Sequence, residues 1–338
     1  MSPPRRTLAA VTALALLATT VACGADGGTE QTKELRYQGS VGQVTLPELA
    51  ADLGYLGDVK LTWIGNVTGG PQDIQATATG QSDFGGAFNG AIVKLAAANA
   101  PITAVVSYYG SDAETFQGYY VLDDSPIHGP RDLIGKRVGM NTLGAHAEAV
   151  LKTWLARGGL DDREIAQVEL VALPPVNTEQ SLRQKQIDVA VLGGVIRDKA
   201  VAAGGIRTVF TDYELLGAFS AGAYVFRDDF IRRNPQTVRT FVTGVGKAIE
   251  WARTEPRETV LARLTSIIDR RGRNEDTSLV AYWKSTGVAG TGGVIAEQEF
   301  ATWIDWLADE GELDGAKPSP GDIYTNEFNP YASAGGAP

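Results

Sequence analysis

From Leu35 to Phe210 the chain alternates short β-rich runs with stretches of helical period, and no other feature of the sequence restricts the fold as much. The β-rich runs are Leu35 to Gln38, Val59 to Ile64, Ile102 to Tyr108, Tyr119 to Leu122, Arg137 to Met140, Val168 to Leu173, Val189 to Leu192 and Arg207 to Phe210. Helical periodicity marks Leu46 to Leu53, Ile92 to Ala98, Ala147 to Arg157 and Val195 to Ala203. Such alternation predicts parallel sheets covered by helices on both faces, the α/β class. The pairs Gly158-Gly159 and Gly204-Gly205 follow two of the helical stretches and act as stop signals. Beyond Phe226 the pattern turns helical, over Phe230 to Arg232, Val238 to Trp251, Val260 to Ile268, Leu279 to Lys284 and Glu297 to Leu307. Trp251, Trp283, Trp303 and Trp306 occupy amphipathic positions there and are expected in the core.

Two strands stand apart. Gly118 to Leu122 ends in Asp123-Asp124, and Gly222 to Phe226 ends in Arg227-Asp228-Asp229. Similar strands about a hundred residues apart suit a chain that crosses into a second lobe and later returns. The expected division is residues 34–121 and 223–338 for lobe one and 122–222 for lobe two.

The 338 residues carry 30 basic and 40 acidic side chains, a net charge of −10 that opposes phosphate-backbone binding, so no nucleic-acid partner is expected. One cysteine, Cys23, and two histidines, His128 and His146, exclude an intrachain disulfide and any Cys/His zinc cluster. Arg5-Arg6 followed by an apolar stretch from Leu8 to Val21 reads as a secretory signal over residues 1–22. Val21-Ala22-Cys23 resembles a bacterial lipobox, which makes Cys23 the expected lipidated residue. Residues 23–33, with Gly24, Gly27 and Gly28, then read as a tether that holds the folded part at the outer face of a membrane.

Several segments resemble one family, the substrate-binding proteins of ABC importers for nitrate, taurine and aliphatic sulfonates. They are Gly80-Gln81-Ser82-Asp83-Phe84-Gly85 with Ala91 to Ile102, Asp132 to Gly139, Gln186 to Ala190, and Phe230 to Phe241 around Asn234-Pro235-Gln236. Their order and spacing match from residue 34 to about residue 331. The resemblance implies the periplasmic-binding-protein type II fold, two α/β lobes joined by two crossing strands that close by hinge motion on a small molecule. It also implies a permease and its ATPase as partners, a monomer, and neither cofactor nor metal.

In such a fold ligands sit at the carboxyl ends of parallel strands. In lobe two, Asn141-Thr142-Leu143-Gly144 follows the strand Arg137 to Met140 and is expected to open the helix ending at Arg157, so its free N–H groups either hold an anionic oxygen, serve a plain N-cap at Asn141 or Thr142, or both. Asn177 and Gly193-Gly194 fall at the other strand ends of that lobe. Related sulfonate and taurine binders often carry a Trp near the second of these, so Gly193-Gly194-Val195 implies a larger or differently shaped ligand. In lobe one the candidates are Gln43, Asn66, Phe88 and Asn89, each equally explained by turn chemistry, with Tyr108 and Tyr109 as an aromatic wall or as ordinary core. His146 reads as a ligand donor or as a partly exposed structural residue, and Arg197 as an answer to ligand charge or as a solvated helix residue.

An enzyme on the same fold is the first rival reading. Desulfinases that resemble these binders use a cysteine nucleophile, and Cys23 precedes the folded part. Ser220 lacks the first glycine of a nucleophile elbow, and Gly244-Val245-Gly246-Lys247 is neither a dinucleotide fingerprint nor a phosphate loop. A neutral heterocycle, such as a pyrimidine precursor of thiamine, is an alternative ligand, and a solute sensor is an alternative role.

Overall fold

The computed structural model describes residues 31–67, 69–313 and 316–332. The expected signal segment, Cys23 and most of the tether lie outside them.

The chain runs through β1 (Glu34–Gly39), α1 (Leu46–Asp52), β2 (Lys60–Asn66), α2 (Gly70–Ala78), β3 (Phe84–Phe88), α3 (Asn89–Ala97) and β4 (Ile102–Ser111). It continues with β5 (Gln117–Leu122), β6 (Arg137–Met140), α4 (His146–Arg157), α5 (Asp162–Ile165), β7 (Glu169–Ala172), α6 (Pro175–Arg183), β8 (Val189–Gly193), α7 (Gly194–Ala202), β9 (Ile206–Thr211) and α8 (Asp212–Leu216). It returns through β10 (Phe219–Arg227), α9 (Asp228–Arg233), α10 (Pro235–Thr254), α11 (Arg257–Arg270) and α12 (Gln298–Asp309). All eight predicted strands form, and the glycine pairs follow α4 and α7 as expected, with Gly159 at φ 82° and Gly204 at φ 69°. Helix starts obey local chemistry. Thr45 and Glu48 cap α1 reciprocally, and proline stands in the first turn of α2, α6 and α10.

β3, with the sequence Phe84-Gly85-Gly86-Ala87-Phe88, lacks the β-branched residues by which a strand is recognised. Its glycines are set by packing instead. A Cβ at Gly85 would meet Asp73 O and Thr77 Oγ1 at 2.6 Å, and one at Gly86 would meet the rings of Tyr108 and Tyr224 at 2.8 and 2.9 Å. α2 and the tyrosines of β4 and β10 therefore press directly onto β3.

The strands form a pair, β1-β2, a three-stranded sheet in the order β3-β10-β4, and a five-stranded sheet in the order β7-β6-β8-β5-β9. The pairs β1-β2, β6-β7 and β6-β8 are parallel as expected, whereas one strand in each of the two larger sheets runs against its neighbours and corrects the expectation there. β10 runs antiparallel to β3 and β4, and β5 runs antiparallel to β8 and β9. These are the two strands that the sequence sets apart, and each enters its sheet reversed because the chain arrives there from the other lobe. The chain changes sheets within residues 112–116 and 212–218, so the lobe divisions expected at 121/122 and 222/223 both fall inside a strand.

Lobe one buries α10 along its length, with Phe241, Val242, Val245 and Ile249 at 0% exposure against Phe84, Val106 and Phe226. A second cluster spans both lobes, joining Val138, Met140 and Val150 to Phe88, Phe300 and Trp303. Of the four C-terminal tryptophans only Trp303 is buried. The predicted helix over Leu279 to Lys284 is a single 3-10 stretch, Ser278–Tyr282, that leaves Trp283 on an extended backbone.

Candidate ligand-binding cleft

A cavity of about 510 Å³ opens between the two larger sheets, within the range of small-molecule sites. Its walls come from the carboxyl ends of strands: the loop after β1, Phe88 ending β3, Tyr108 and Tyr109 on β4, Asn141 and Thr142 after β6, and Gly193 ending β8.

Nine predicted residues meet there: Gln43, Phe88, Tyr108, Tyr109, Asn141, Thr142, His146, Gly193 and Gly194. Six do not line it, Arg197 among them. Asn66 accepts from Trp63 Nε1 at 3.2 Å on the exposed end of β2. Asn89 is fully buried, and its Nδ2 donates to Ser220 O and Glu299 O, both at 3.2 Å. Leu143 is 46% exposed, and Asn177 faces solvent one residue before the buried, cavity-lining Thr178. Gly144 donates its N–H to Glu148 Oε2 at 2.8 Å. The expected helix start is therefore displaced: α4 begins at His146 behind Ala145, because Gly144 takes φ 67° and interrupts the helical run.

Buried charge holds the Gln43 loop. Glu275 Oε1 accepts from Gly42 N at 2.8 Å, and Arg271 Nη1 donates to Gln43 O at 3.0 Å and to Glu48 at 3.2 Å. Arg271 together with the hydrogen bond from Gly42 N–H holds the Glu275 carboxyl below its usual range, against the opposing effect of burial. Burial pushes the phenols of Tyr108, Tyr109 and Tyr224 up, further from ionisation at neutral pH.

Four helices begin at this cavity. First-turn residues of α2 (Gly70, Pro71), α4 (His146), α6 (Pro175, Thr178) and α7 (Gly194 to Ile196) all line it, and the N-caps Gly69, Ala145, Pro174 and Gly193 make no side-chain cap hydrogen bond. Four sets of first-turn N–H groups and four positive dipole ends thus surround one space. Lining charge is sparse. It consists of Asp198, Asp212 and Lys284, with Lys284 Nζ 3.2 Å from Asp198 Oδ1. Arg197 is neither solvated nor lining. It is 2% exposed, 3.7 Å over the Phe116 ring, and donates to Glu114 O at 2.8 Å.

Sequence reasoning missed Phe116, Gln117, Asp198, Asp212, Trp283 and Lys284, all of which line the cavity. Asp212 stands two residues after the predicted strand Arg207 to Phe210, at a strand end like the recognised candidates, so a signal for it existed. Trp283 and Lys284 were hidden by their helical reading, and no local pattern shows that they reach the cleft.

The family model described as NMT1/THI5 like matches residues 49–259. A Brucella abortus protein with the provisional name of a binding protein is 26% identical over 200 residues, 57% of this chain and 58% of that protein, so the match spans less than two thirds of that relative. Among solved structures, the alkanesulfonate-binding protein of Xanthomonas axonopodis pv. citri bound to MOPS is similar at a TM-score of 0.69 and 18% identity, over 88% of this chain and 100% of that one. The periplasmic nitrate-binding protein of Synechocystis is similar at a TM-score of 0.67 and 14% identity, over 90% of each chain. A desulfurization enzyme shares the fold at a TM-score of 0.58 and 16% identity, over 88% of this chain and 97% of that one.

Proposed function

Since the chain belongs to the NMT1/THI5-like family, we propose that it is an extracytoplasmic solute-binding lipoprotein of an ABC importer, and that it captures a small organic anion between its two lobes. The observation that carries this reading is the convergence of four helix starts without side-chain caps on one cavity whose sole lining Lys or Arg, Lys284, is already paired. Backbone N–H groups at helix starts hold anions without a buried cation, and they cost no reorganisation when the anion arrives. The alkanesulfonate- and nitrate-binding proteins of the same fold support the choice of anion. The permease and its ATPase are the partners that the resemblance to importer-associated binding proteins implies, and the lipid anchor rests on Cys23.

Catalysis is not part of this reading. The sole cysteine precedes the described residues, so the cavity offers no thiol for the nucleophilic route assigned above to desulfinases.

A thermal-shift screen of the purified protein against alkyl and aryl sulfonates, taurine, nitrate, bicarbonate and pyrimidine precursors tests the proposal. A ligand well above its dissociation constant raises the melting midpoint by linkage. A saturable shift with an organic anion is expected. A shift confined to a neutral heterocycle would keep the binding role and discard the anion site.

A further inference from the structure

One stretch of the cavity wall holds two cations beside one carboxylate. Asp198 of α7 has a side chain 11% exposed, and its Oδ1 accepts from Arg197 Nε at 2.9 Å and from Arg197 Nη2. Arg197 is itself buried and pinned by Glu114 O and the Phe116 ring, so the two neighbours form a fixed pair that balances its own charge. Lys284, in the segment between α11 and α12, brings Nζ to the same Oδ1 at 3.2 Å, and this is the one hydrogen bond of that ammonium among the described residues. Its side chain is 39% exposed, and both Lys284 and Asp198 line the cavity. The other lining carboxylate makes no claim on Lys284. Asp212 is 1% exposed, its Oδ1 accepts from Ser111 Oγ and Gln117 N, and its Oδ2 stands 3.2 Å from His146 Nε2.

Lys284 is therefore the surplus charge. A partly exposed ion pair is weak, an ammonium on a four-carbon stem turns easily, and Asp198 keeps Arg197 when Lys284 leaves it. The four helix starts already supply the N–H donors for one anionic group. We infer that Lys284 is the counter-ion for a second acidic group of the solute, exchanging Asp198 for that group on binding. The solute is then a small organic dianion, of the class of a sulfonate that also bears a carboxylate, and not an inorganic oxyanion or a plain alkanesulfonate. This inference rests on the anion reading given above and narrows it.

Titration calorimetry of the purified protein with sulfoacetate, 3-sulfopropanoate and 4-sulfobutanoate tests it, each set against the alkanesulfonate that lacks only the carboxylate. At least one diacid is expected to bind tenfold or more tightly than its match. In Lys284→Met that ratio is expected to fall below threefold while the affinity of the alkanesulfonate holds. Lys284→Gln serves if Lys284→Met fails to fold, which its ligand-free melting curve reveals. A wild type in which no diacid gains tenfold, or a gain that survives in a folded variant, overturns the second-anion subsite and leaves the anion reading intact. So does a Lys284→Met protein that loses diacid and alkanesulfonate by the same factor, because Lys284 then holds the first anion or only ties the lobes together. Failure of all six probes to bind overturns the anion reading and the subsite with it.

Discussion

Asp73 lies in the first turn of α2 with Oδ2 accepting from Gly86 N at 2.7 Å and Oδ1 without a partner. Burial raises its pKa to about 7, and the Gly86 hydrogen bond offsets only part of that. The folded state thus holds a proton that the unfolded chain releases near pH 4. Stability from this group is complete below that pH, falls as pH rises, and is lost above about 7, by at most roughly 4 kcal/mol. Urea unfolding at pH 5 and pH 8 is expected to show the wild type losing more stability over that interval than Asp73→Asn. Parallel losses in the two proteins would place the pH dependence elsewhere. The same proton bears on binding: a neutral Asp73 puts no negative charge beside the α2 start, where an anion would sit.

The function proposed here depends on elements more than on single side chains, because the four helix starts act through backbone N–H groups that no side-chain truncation removes. A new negative charge within one of them is the direct probe. Val195 occupies the first turn of α7, lines the cavity and has no acidic neighbour in that turn. Val195→Asp is expected to weaken binding of a sulfonate at least tenfold by calorimetry, with a smaller penalty at 1 M salt; unchanged affinity would remove α7 from the site. At this scale the sequence was legible where periodicity or glycine punctuation governs, as in the eight recognised strands and the ends of α4 and α7. It was not legible where tertiary contact overrides local propensity. Gly85 and Gly86 make β3 a strand because α2 and two tyrosines leave no room for side chains, and α2 and α6 carry polar sequences that only their packing fixes as helices. The site divides likewise: strand-end residues such as Phe88 and Thr142 were found by position, whereas Asn89 sits at a strand end yet spends its amide on two buried carbonyls.

For the whole molecule, the point at which the chain enters lobe one determines what an anchor at Cys23 would do. Gln31 Nε2 donates to Arg233 O at 3.2 Å, and Thr32 N donates to Asn234 Oδ1 at 2.8 Å, so the chain is fastened where α9 meets α10. The eight chain steps from Cys23 to Gln31 then span at most about 29 Å even when fully extended. A lipid on Cys23 would keep the α9–α10 junction of lobe one within that distance of the membrane, while the chain is free to change lobes only at residues 112–116 and 212–218. Lobe two would then be the body that swings when a solute is captured. Two acyl chains give stable anchoring, and Cys23 is the cysteine that would carry them. Cys23→Ala would remove the expected cleavage site along with the thiol and leave the apolar stretch Leu8 to Val21 attached, so the thioether itself is the readout. Mass spectrometry of the wild type extracted from membranes is expected to show a diacylglyceryl group on Cys23 at the mature amino terminus. A free Cys23 thiol there would refute lipidation at this residue and leave the cavity and its proposed ligand as they stand.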